Sequence, residues 1–246
     1  MITVILPTHR PHAIARTWRC FLRQRYEPRR LVVIENGPAV GACARLGVAP
    51  AATLHAPHNK PAAVNAGLAW LREHGGGAWV QWDDDDYYGP GYLTEMAEAL
   101  RGADLVGKSS LFVRRGDGRL WLFERRGHPL GHSFGGHSDC LDLVDCGRWG
   151  DDERWLRDML AAGAKPTWLG PRHFIWHRLR RSGHVWPADD DQIAHSLWRT
   201  GGTAIRDYGA APITVADGAL ADSRPVVLPP FDFVRHVCGV PSWAAA

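Results

Sequence analysis

Four consecutive aspartates, Asp83 to Asp86, follow the apolar run Ala78 to Trp82 in the stretch WVQWDDDDYYGP. Water and salt screen such a charge run in a solvated segment, but a run held at the end of a buried strand needs cations or basic side chains nearby. Carboxylate oxygens at alternate positions suit a hard divalent cation, Mg²⁺ or Mn²⁺, which usually also binds phosphate oxygens. The predicted partner is therefore a nucleotide or a sugar diphosphate.

This acidic block has two other interpretations. An EF-hand calcium loop would place its ligands at Asp84, Asp86, Gly89 and Glu95. Position 5 of that pattern is Tyr88, and a strand-like run precedes the loop where an EF-hand has a helix. A solvated charge run or a helix-capping cluster is the plain alternative, and the large apolar and aromatic residues on both sides of the block argue against it.

A second acidic cluster, Asp151-Asp152-Glu153, opens a helix that is predicted over residues 151–162. Asp152 lies three, four and seven residues before the apolar residues Trp155, Leu156 and Met159. Helical spacing therefore places Asp152 on the apolar side, which faces the protein. An aspartate in this position is either a cap favoured by the helix dipole or a residue of a functional site.

Short apolar runs alternate with helical patterns in the first half of the chain. The predicted strands are Ile2 to Leu6, Leu31 to Glu35, Thr53 to Ala56 and Ala78 to Trp82, with helices from His12 to Arg25 and from Asn59 to about Gly75. This order predicts an α/β fold with a mostly parallel central sheet flanked by helices on both faces. Ligands bind such sheets beyond the carboxyl ends of the strands. The following strand-end residues are therefore expected to converge on one cleft: Thr8, Arg10, Glu35, Asn36 and the four aspartates.

Beyond residue 100 the pattern is looser. Strands are predicted at Leu105 to Lys108, Leu111 to Arg114 and Leu120 to Glu124, with a hairpin turn at Gly116 to Gly118 and a helix at Asp189 to Thr200. No internal repeat or linker divides the chain, so one domain is expected.

Composition narrows the class of protein. With 45% hydrophobic and 22% charged residues, the 246-residue chain is expected to fold as a globular domain. A formal charge of +3 with scattered arginines argues against nucleic acid as a partner. The five cysteines form no CxxC pair, which favours a reducing compartment over a zinc site. No 18-residue apolar run and no leader pattern occur, so a cytoplasmic protein without a transmembrane segment is predicted.

Neither a Walker A sequence nor GxGxxG follows any predicted strand, which leaves phosphate neutralisation to the metal. In their order along the chain, five segments are similar to the family 2 glycosyltransferases of the GT-A fold: ILPTHRP, VVIENG, NKPAAVNAG, WDDDDYYGPGYL and DDERWLRDMLAAGAK. The likeness covers roughly residues 1–180, and the acidic motif is its strongest element. It implies metal-dependent, inverting transfer of a sugar from a nucleoside diphosphate sugar, with a UDP-sugar favoured, to an unknown acceptor.

The resemblance also implies roles for individual residues. Thr8, Arg10 and Glu35 would lie around the nucleobase, Asn65 near the nucleotide, Asp84 near the ribose, and Asp83 and Asp85 would form the DxD pair with Asp85 on the metal. It further implies a nucleotide-sugar-binding half over about residues 1–105, an acceptor and catalytic half over about 106–206, and a C-terminal extension over 207–246.

An inverting sugar transfer needs a base that takes the acceptor proton. The family pattern implies that Asp152 is this base, with Asp151 beside it. His177 corresponds to a position near the metal or the diphosphate, and His184 is a weaker candidate for the same place. The basic cluster Arg178 to Arg181 either covers the diphosphate or is plain surface charge.

Two residues depart from the family pattern. Many relatives have Asp where this chain has Glu35, which can still accept the imide hydrogen bond of uracil but leaves the nucleotide less certain. Relatives have a small residue or Gly where this chain has Lys60, which either reaches a phosphate or is a solvated lysine at the start of a helix.

A nucleotidyltransferase is the competing enzyme class, although PTHRPH lacks the glycines that its phosphate loop requires. A non-catalytic module that binds nucleotide sugars or glycans is the third possibility.

Overall fold

The computed structural model of the chain describes residues 1–57, 59–114, 120–125, 133–145, 151–177 and 202–207. Several predicted features lie outside these ranges: the helix at Asp189 to Thr200, the turn at Gly116 to Gly118, the Arg178 to Arg181 cluster, His184 and residues 208–246.

The described residues form strands and helices that alternate along the first half of the chain. The strands are β1 (Ile2–Thr8), β2 (Arg29–Glu35), β3 (Ala52–His55), β4 (Ala78–Gln81), β5 (Tyr87–Tyr88), β6 (Leu105–Lys108), β7 (Ser110–Arg114), β8 (Leu120–Arg125), β9 (Phe134–His137), β10 (Pro166–Leu169), β11 (Phe174–His177) and β12 (Gly202–Asp207). The helices are α1 (Pro11–Leu22), α2 (Ala42–Arg45), α3 (Lys60–Glu73), α4 (Tyr92–Ala99) and α5 (Asp151–Ala161), with a 3₁₀ turn at Gly37–Ala39. Among the described helices, none has the length and apolar character needed to cross a membrane.

The larger sheet has seven strands in the order β10-β6-β9-β4-β1-β2-β3. All of them except β9 run parallel to one another. Thr8 at the end of β1 pairs with Glu35 at the end of β2, and Gln81 at the end of β4 pairs with Ile5. The predicted mostly parallel sheet is confirmed, and the ends of its first, second and fourth strands lie at one edge.

Side chains of β1 alternate between two apolar cores, one on each face of this sheet. Val4 and Leu6 pack in the same core as Ile14 of α1. Ile5 packs in the other core with Val64 of α3. Because helices cover both faces, the strands appear in the sequence as continuous apolar runs rather than as alternating patterns.

Aromatic rings pack beneath the acidic block and fix it to the core. The ring of Trp82 stacks on Tyr88 with centroids 4.0 Å apart and planes 4° from parallel. Tyr88 also packs against Tyr92 and Phe174, at centroid distances of 5.0 and 5.4 Å. All four side chains are fully buried. The aspartates are therefore part of an ordered turn, as the flanking aromatic residues predicted.

Helix α5 packs its apolar side against the core that also buries α3. The ring of Trp155 meets Trp79 of β4 edge to face, with centroids 5.8 Å apart. Leu156 and Met159 are buried beside it. The apolar side predicted from helical spacing is thus confirmed, and Asp152 lies one turn before Trp155 and Leu156 on this side.

A second sheet has the strand order β12-β8-β7-β11-β5. Its strand β5 directly follows the acidic block and pairs antiparallel with β11, with Tyr88 opposite Phe174. Strands β7 and β8 pair antiparallel, as the predicted hairpin requires. The acidic turn therefore connects β4 of the larger sheet to β5 of the second sheet.

Strand β9 is absent from the sequence-based prediction. Its sequence is FGGH, and glycine lowers strand propensity, so the pattern there gives no strand signal. The strand lies between β4 and β6 and runs antiparallel to both. A Cβ atom at Gly135 would lie 2.2 Å from the carbonyl oxygen of Trp79, so this close approach requires glycine.

Candidate functional site

The acidic block forms the turn between β4 and β5, at the carboxyl edge of the parallel strands. Arg10 follows β1 at the same edge, and Lys60 is the first residue of α3. Helix α5 brings Asp152 to this edge from the second half of the chain, where its carboxylate lies 3.6 Å from Lys60 Nζ. Arg10, Lys60 and Asp152 thus come together around the acidic turn.

Arg10 neutralises two of the four aspartates. Its Nη2 lies 2.6 Å from Asp84 Oδ1, and its Nη1 donates to Asp85 Oδ2 at 2.8 Å. The Thr8 hydroxyl donates to Asp84 Oδ2 at 2.6 Å. A planar guanidinium is suited to bridge two neighbouring carboxylates. Thr8 and Arg10 therefore hold the acidic block, and their predicted contact with a nucleobase stays a prediction.

Helix α1 holds the main chain of the same turn. Arg16 Nη2 and the Thr17 hydroxyl both donate to the carbonyl oxygen of Asp84, at 2.8 and 3.1 Å. Burial raises the pKa of the Asp84 carboxyl to about 6, although the Arg10 guanidinium and the Thr8 hydroxyl act in the opposite direction. Asp84 is only 2% exposed, so its carboxylate serves these internal contacts.

Asp83, Asp85 and Asp86 form a cluster in which one carboxylate oxygen from each lies within 4.8 Å of the others. An oxygen-only donor set at this spacing fits a hard divalent cation such as Mn²⁺ or Mg²⁺. Asp86 is 1% exposed; the sequence placed it among the four aspartates expected to hold the metal, but the resemblance implied only Asp83 and Asp85 as the DxD pair. The prediction assumed extended backbone with alternating side chains, whereas residues 84–86 form a turn that brings consecutive carboxylates together.

Gln81, the last residue of β4, is a residue that sequence reasoning missed. Its side chain is fully buried, and Nε2 donates to Asp83 Oδ1 at 2.9 Å. The main-chain N–H of Asp83 donates to the Tyr88 hydroxyl at 2.7 Å. Gln81 and Tyr88 thus hold Asp83 in a fixed position. The alternation of β4 places Gln81 beside the block, but no sequence pattern separates it from an ordinary buried glutamine.

Lys60 connects the two acidic sites. Its Nζ lies 3.2 Å from Asp83 Oδ1 and 3.6 Å from Asp152 Oδ2. Burial lowers the pKa of Lys60, but the carboxylates of Asp152 and Asp83 outweigh this effect and raise it above its ordinary value. Lys60 is therefore a cation between the candidate metal site and the candidate base. Lys60 begins α3 and its side chain is 34% exposed, so neither of its two sequence-based interpretations is excluded.

Two predicted site residues remain outside this geometry. Asp151 begins α5 and His177 ends β11, but their side chains lie outside the part of the chain that the structure describes. Their predicted roles, as neighbour of the base and as a metal ligand, stay predictions.

Glu35 is fully buried at the end of β2. Its two oxygens accept hydrogen bonds from the main-chain N–H groups of Gly41 and Cys43, each at 2.6 Å. Burial raises the pKa of Glu35, but the N–H groups of Cys43 and Gly41 outweigh it, so the pKa lies below its usual range. Glu35 therefore organises the segment from Gly37 to Arg45, and its predicted contact with a nucleobase stays a prediction.

Replacing Glu35 by Gln is expected to lower the free energy of unfolding by about 2 kcal/mol at pH 7, because the amide NH₂ replaces one carboxylate oxygen and then faces a main-chain N–H donor, while the amide oxygen keeps the other bond. Since the pKa of Glu35 is lower in the folded protein, its stabilisation is present above the ordinary carboxyl pKa of about 4.3 and is lost as the pH falls through the folded-state pKa. The difference between variant and wild type should therefore shrink below about pH 4. Urea unfolding, monitored by circular dichroism at pH 7 and below about pH 4, measures this difference in the free energy of unfolding.

The exposed Glu73 at the end of α3 provides the control, since Glu73→Gln changes the same charge without removing such contacts. It should unfold like wild type at both pH values. A Glu35→Gln variant with wild-type stability at pH 7 would contradict the organising role of Glu35.

Asn65 lies on α3 and bonds the chain segment that precedes α5. Its Nδ2 donates to the carbonyl oxygen of Leu143, and its Oδ1 accepts from the N–H of Leu143, both at 2.8 Å. This reciprocal pair ties the first half of the chain to residues 141–145. The predicted position of Asn65 near the nucleotide stays a prediction.

Solved structures with a similar fold were found by structural comparison. A structure of S. aureus TarS residues 1–349 in complex with UDP-GlcNAc matches with a TM-score of 0.55 and 12% identity over 81% of this chain and 66% of that chain. The mannosyltransferase PcManGT from Pyrobaculum calidifontis, in complex with GDP-Man and Mn²⁺, matches with a TM-score of 0.56 and 16% identity over 96% of this chain and 68% of that chain. A mycobacterial protein matches with a TM-score of 0.54 and 18% identity over 81% of this chain and 74% of that chain.

At such low sequence identity, the structural matches show a likeness of fold alone. The shared fold is the GT-A fold of nucleotide-diphospho-sugar transferases. The chain spans just under two thirds of the TarS fragment that it matches, at 66%. No protein-family profile matches the chain, and no curated protein matches its sequence.

Proposed function

We propose that this chain is a metal-dependent glycosyltransferase of the family 2 type, which moves a sugar with inversion from a nucleoside diphosphate sugar to an acceptor. One observation carries the proposal. A carboxylate cluster able to hold a cation and the separate carboxylate of Asp152 meet at the carboxyl edge of the parallel strands, where Lys60 Nζ lies 3.2 Å from Asp83 and 3.6 Å from Asp152. Such transfer needs both groups in one cleft.

Asp83, Asp85 and Asp86 are the residues that would hold the cation, with His177 as a further candidate. Asp85 is the preferred direct ligand, because its side chain is 20% exposed whereas Asp86 is almost fully buried. When bound, Mn²⁺ or Mg²⁺ neutralises charge on the diphosphate and so stabilises it as a leaving group. The Mn²⁺ in the PcManGT structure supports this assignment.

Asp152 is the proposed general base, with Asp151 beside it. As the acceptor hydroxyl oxygen attacks the anomeric carbon, its proton passes to the Asp152 carboxylate. The bond between the anomeric carbon and the diphosphate oxygen breaks, and the nucleoside diphosphate leaves with the electron pair. The Asp152 side chain is 20% exposed, so a hydroxyl group can reach it from solvent.

Five residues form the proposed nucleotide-binding set: Thr8, Arg10, Glu35, Asn65 and Asp84. A UDP-sugar is the favoured donor because a carboxylate at position 35 suits the imide N–H of uracil. Each Glu35 oxygen accepts one main-chain hydrogen bond, and a carboxylate oxygen can accept a second. The UDP-GlcNAc in the TarS structure and the GDP-Man in the PcManGT structure support a nucleotide sugar as partner. In this assignment residues 1–105 bind the donor and residues 106–206 carry the base and the acceptor side.

Calorimetry with UDP and GDP, each with and without Mn²⁺, tests the proposal directly. At least one nucleoside diphosphate should bind, and Mn²⁺ should tighten its binding. Hydrolysis screening over a panel of nucleotide sugars should then identify the donor. The absence of binding for every nucleoside diphosphate in the presence of Mn²⁺ would overturn the proposed function.

A further inference from the structure

The ammonium group of Lys60 lies against both oxygens of Asp83. The distances from Nζ are 3.2 Å to Oδ1 and 3.3 Å to Oδ2. Gln81 also donates to Oδ1 of the same carboxylate. Asp83 is one of the three carboxylates whose oxygens lie close enough together to hold a metal ion. The ammonium group of Lys60 therefore already occupies a position beside the Asp83 carboxylate, which a divalent cation would also use.

The backbone at Lys60 is held in place at the start of α3. Asn59 caps this helix by accepting a hydrogen bond from the N–H of Ala62, and Pro61 lies in its first turn. The helix dipole disfavours a lysine there, and the carboxylates of Asp83 and Asp152 offset this cost. The side chain is 34% exposed, so the ammonium group can turn towards a bound anion without rearrangement of the helix.

A divalent cation on Asp83 and an ammonium group within hydrogen-bonding distance of both its oxygens repel each other strongly in a partly buried site. The two cations therefore compete for Asp83. A bound nucleoside diphosphate removes this competition, because its negative oxygens give the ammonium group another partner.

We propose that Lys60 is a built-in counter-cation that competes with the divalent metal for Asp83 and turns to the diphosphate when a nucleoside diphosphate binds. This rests on the proposed function. Lys60 thereby couples the two ligands, so the metal binds weakly alone and more tightly with the nucleotide. By linkage, the metal tightens nucleotide binding by the same factor.

Titration of Mn²⁺, of UDP, and of each in the presence of the other, by calorimetry on wild type and Lys60→Met, tests this coupling. The variant should bind Mn²⁺ alone about tenfold more tightly, because a neighbouring positive charge is gone. It should bind UDP without metal about tenfold more weakly, because a charge-assisted contact is lost. The factor by which UDP tightens Mn²⁺ binding should fall. General damage to the site would weaken both ligands, so the opposite signs are specific to the proposal.

Lys165→Met is the matched control. Lys165 is exposed and immediately precedes β10, at the amino ends of the parallel strands and away from the site. Its replacement therefore changes the net charge equally but leaves the site intact. Its Mn²⁺ and UDP affinities should equal those of wild type. Lys60→Arg, which keeps the charge, should retain the coupling, and Lys60→Gln replaces the methionine variant if that variant does not fold.

Unchanged or weaker Mn²⁺ binding by Lys60→Met would overturn the role of Lys60. If wild type binds UDP with Mn²⁺ but the variant keeps the wild-type coupling, only this inference fails. If wild type binds no nucleoside diphosphate with Mn²⁺ present, the proposed function fails, and with it the inference that rests on it.

Discussion

An Asp152→Asn variant is expected to transfer sugar about a thousandfold more slowly than wild type while binding Mn²⁺ and nucleoside diphosphate almost unchanged. The amide has the shape of the carboxylate but cannot take the proton from the acceptor hydroxyl. Asp152 Oδ2 lies 3.6 Å from Lys60 Nζ, whereas the candidate metal cluster consists of Asp83, Asp85 and Asp86. The change should therefore appear in kcat and not in donor affinity. Steady-state kinetics with the identified donor, together with calorimetry, separates the two quantities.

Glu153 provides a control on the same helix. Its side chain is exposed, and Glu153→Gln removes the same charge one residue away. This variant should retain wild-type kcat. A fully active Asp152→Asn variant would exclude Asp152 as the base. A variant with weak nucleotide binding would instead assign Asp152 a structural role through Lys60.

Local sequence signals predicted the elements that position the site. The apolar runs at β1, β2 and β4 are strands that lie side by side, and Asn59 caps α3 through a 3.0 Å hydrogen bond to the N–H of Ala62. These features depend on neighbouring residues, so a single sequence carries them. The inward side of α5 followed from helical spacing for the same reason.

Contacts between distant residues were not predictable from those signals. Thr8 and Asp84 lie 76 positions apart in the chain, and their hydrogen bond exists only because β1 and β4 are neighbours in the sheet. Asp86 joined the cluster through a turn that no pattern specifies. Strand β9 was missed because its glycines serve a close backbone approach, which is a tertiary requirement.

The sequence indicated which polar residues follow the strand ends, but not what those residues contact. Arg10 and Thr8 were expected around a nucleobase, and in the structure they bond Asp84. Glu35 was expected at the nucleotide, and its oxygens accept main-chain hydrogen bonds. Position at a strand end predicts that a polar side chain lies in the cleft region, but the partner depends on loops whose conformation has no local sequence signal.

Replacing Asp85 by Asn is expected to abolish the tightening of nucleoside diphosphate binding by Mn²⁺ and to reduce transfer at least about a hundredfold. The amide oxygen can still accept the hydrogen bond that Arg10 Nη1 donates to Asp85 at 2.8 Å, and Arg10 retains its ion pair with Asp84. The turn should therefore keep its shape while the candidate cluster loses one of three carboxylates. Calorimetry with UDP, with and without Mn²⁺, measures the effect before any donor sugar is known.

Asp139→Asn is the appropriate comparison, because Asp139 is an exposed carboxylate in the turn after β9, at the opposite edge of the sheet. Since both variants lose one negative charge, a difference between them reports on position and not on net charge. Asp139→Asn should show the full Mn²⁺ effect on UDP affinity. If Asp85→Asn shows the same full effect, the acidic turn does not bind the cation through Asp85, and the metal site must be reassigned to the remaining carboxylates.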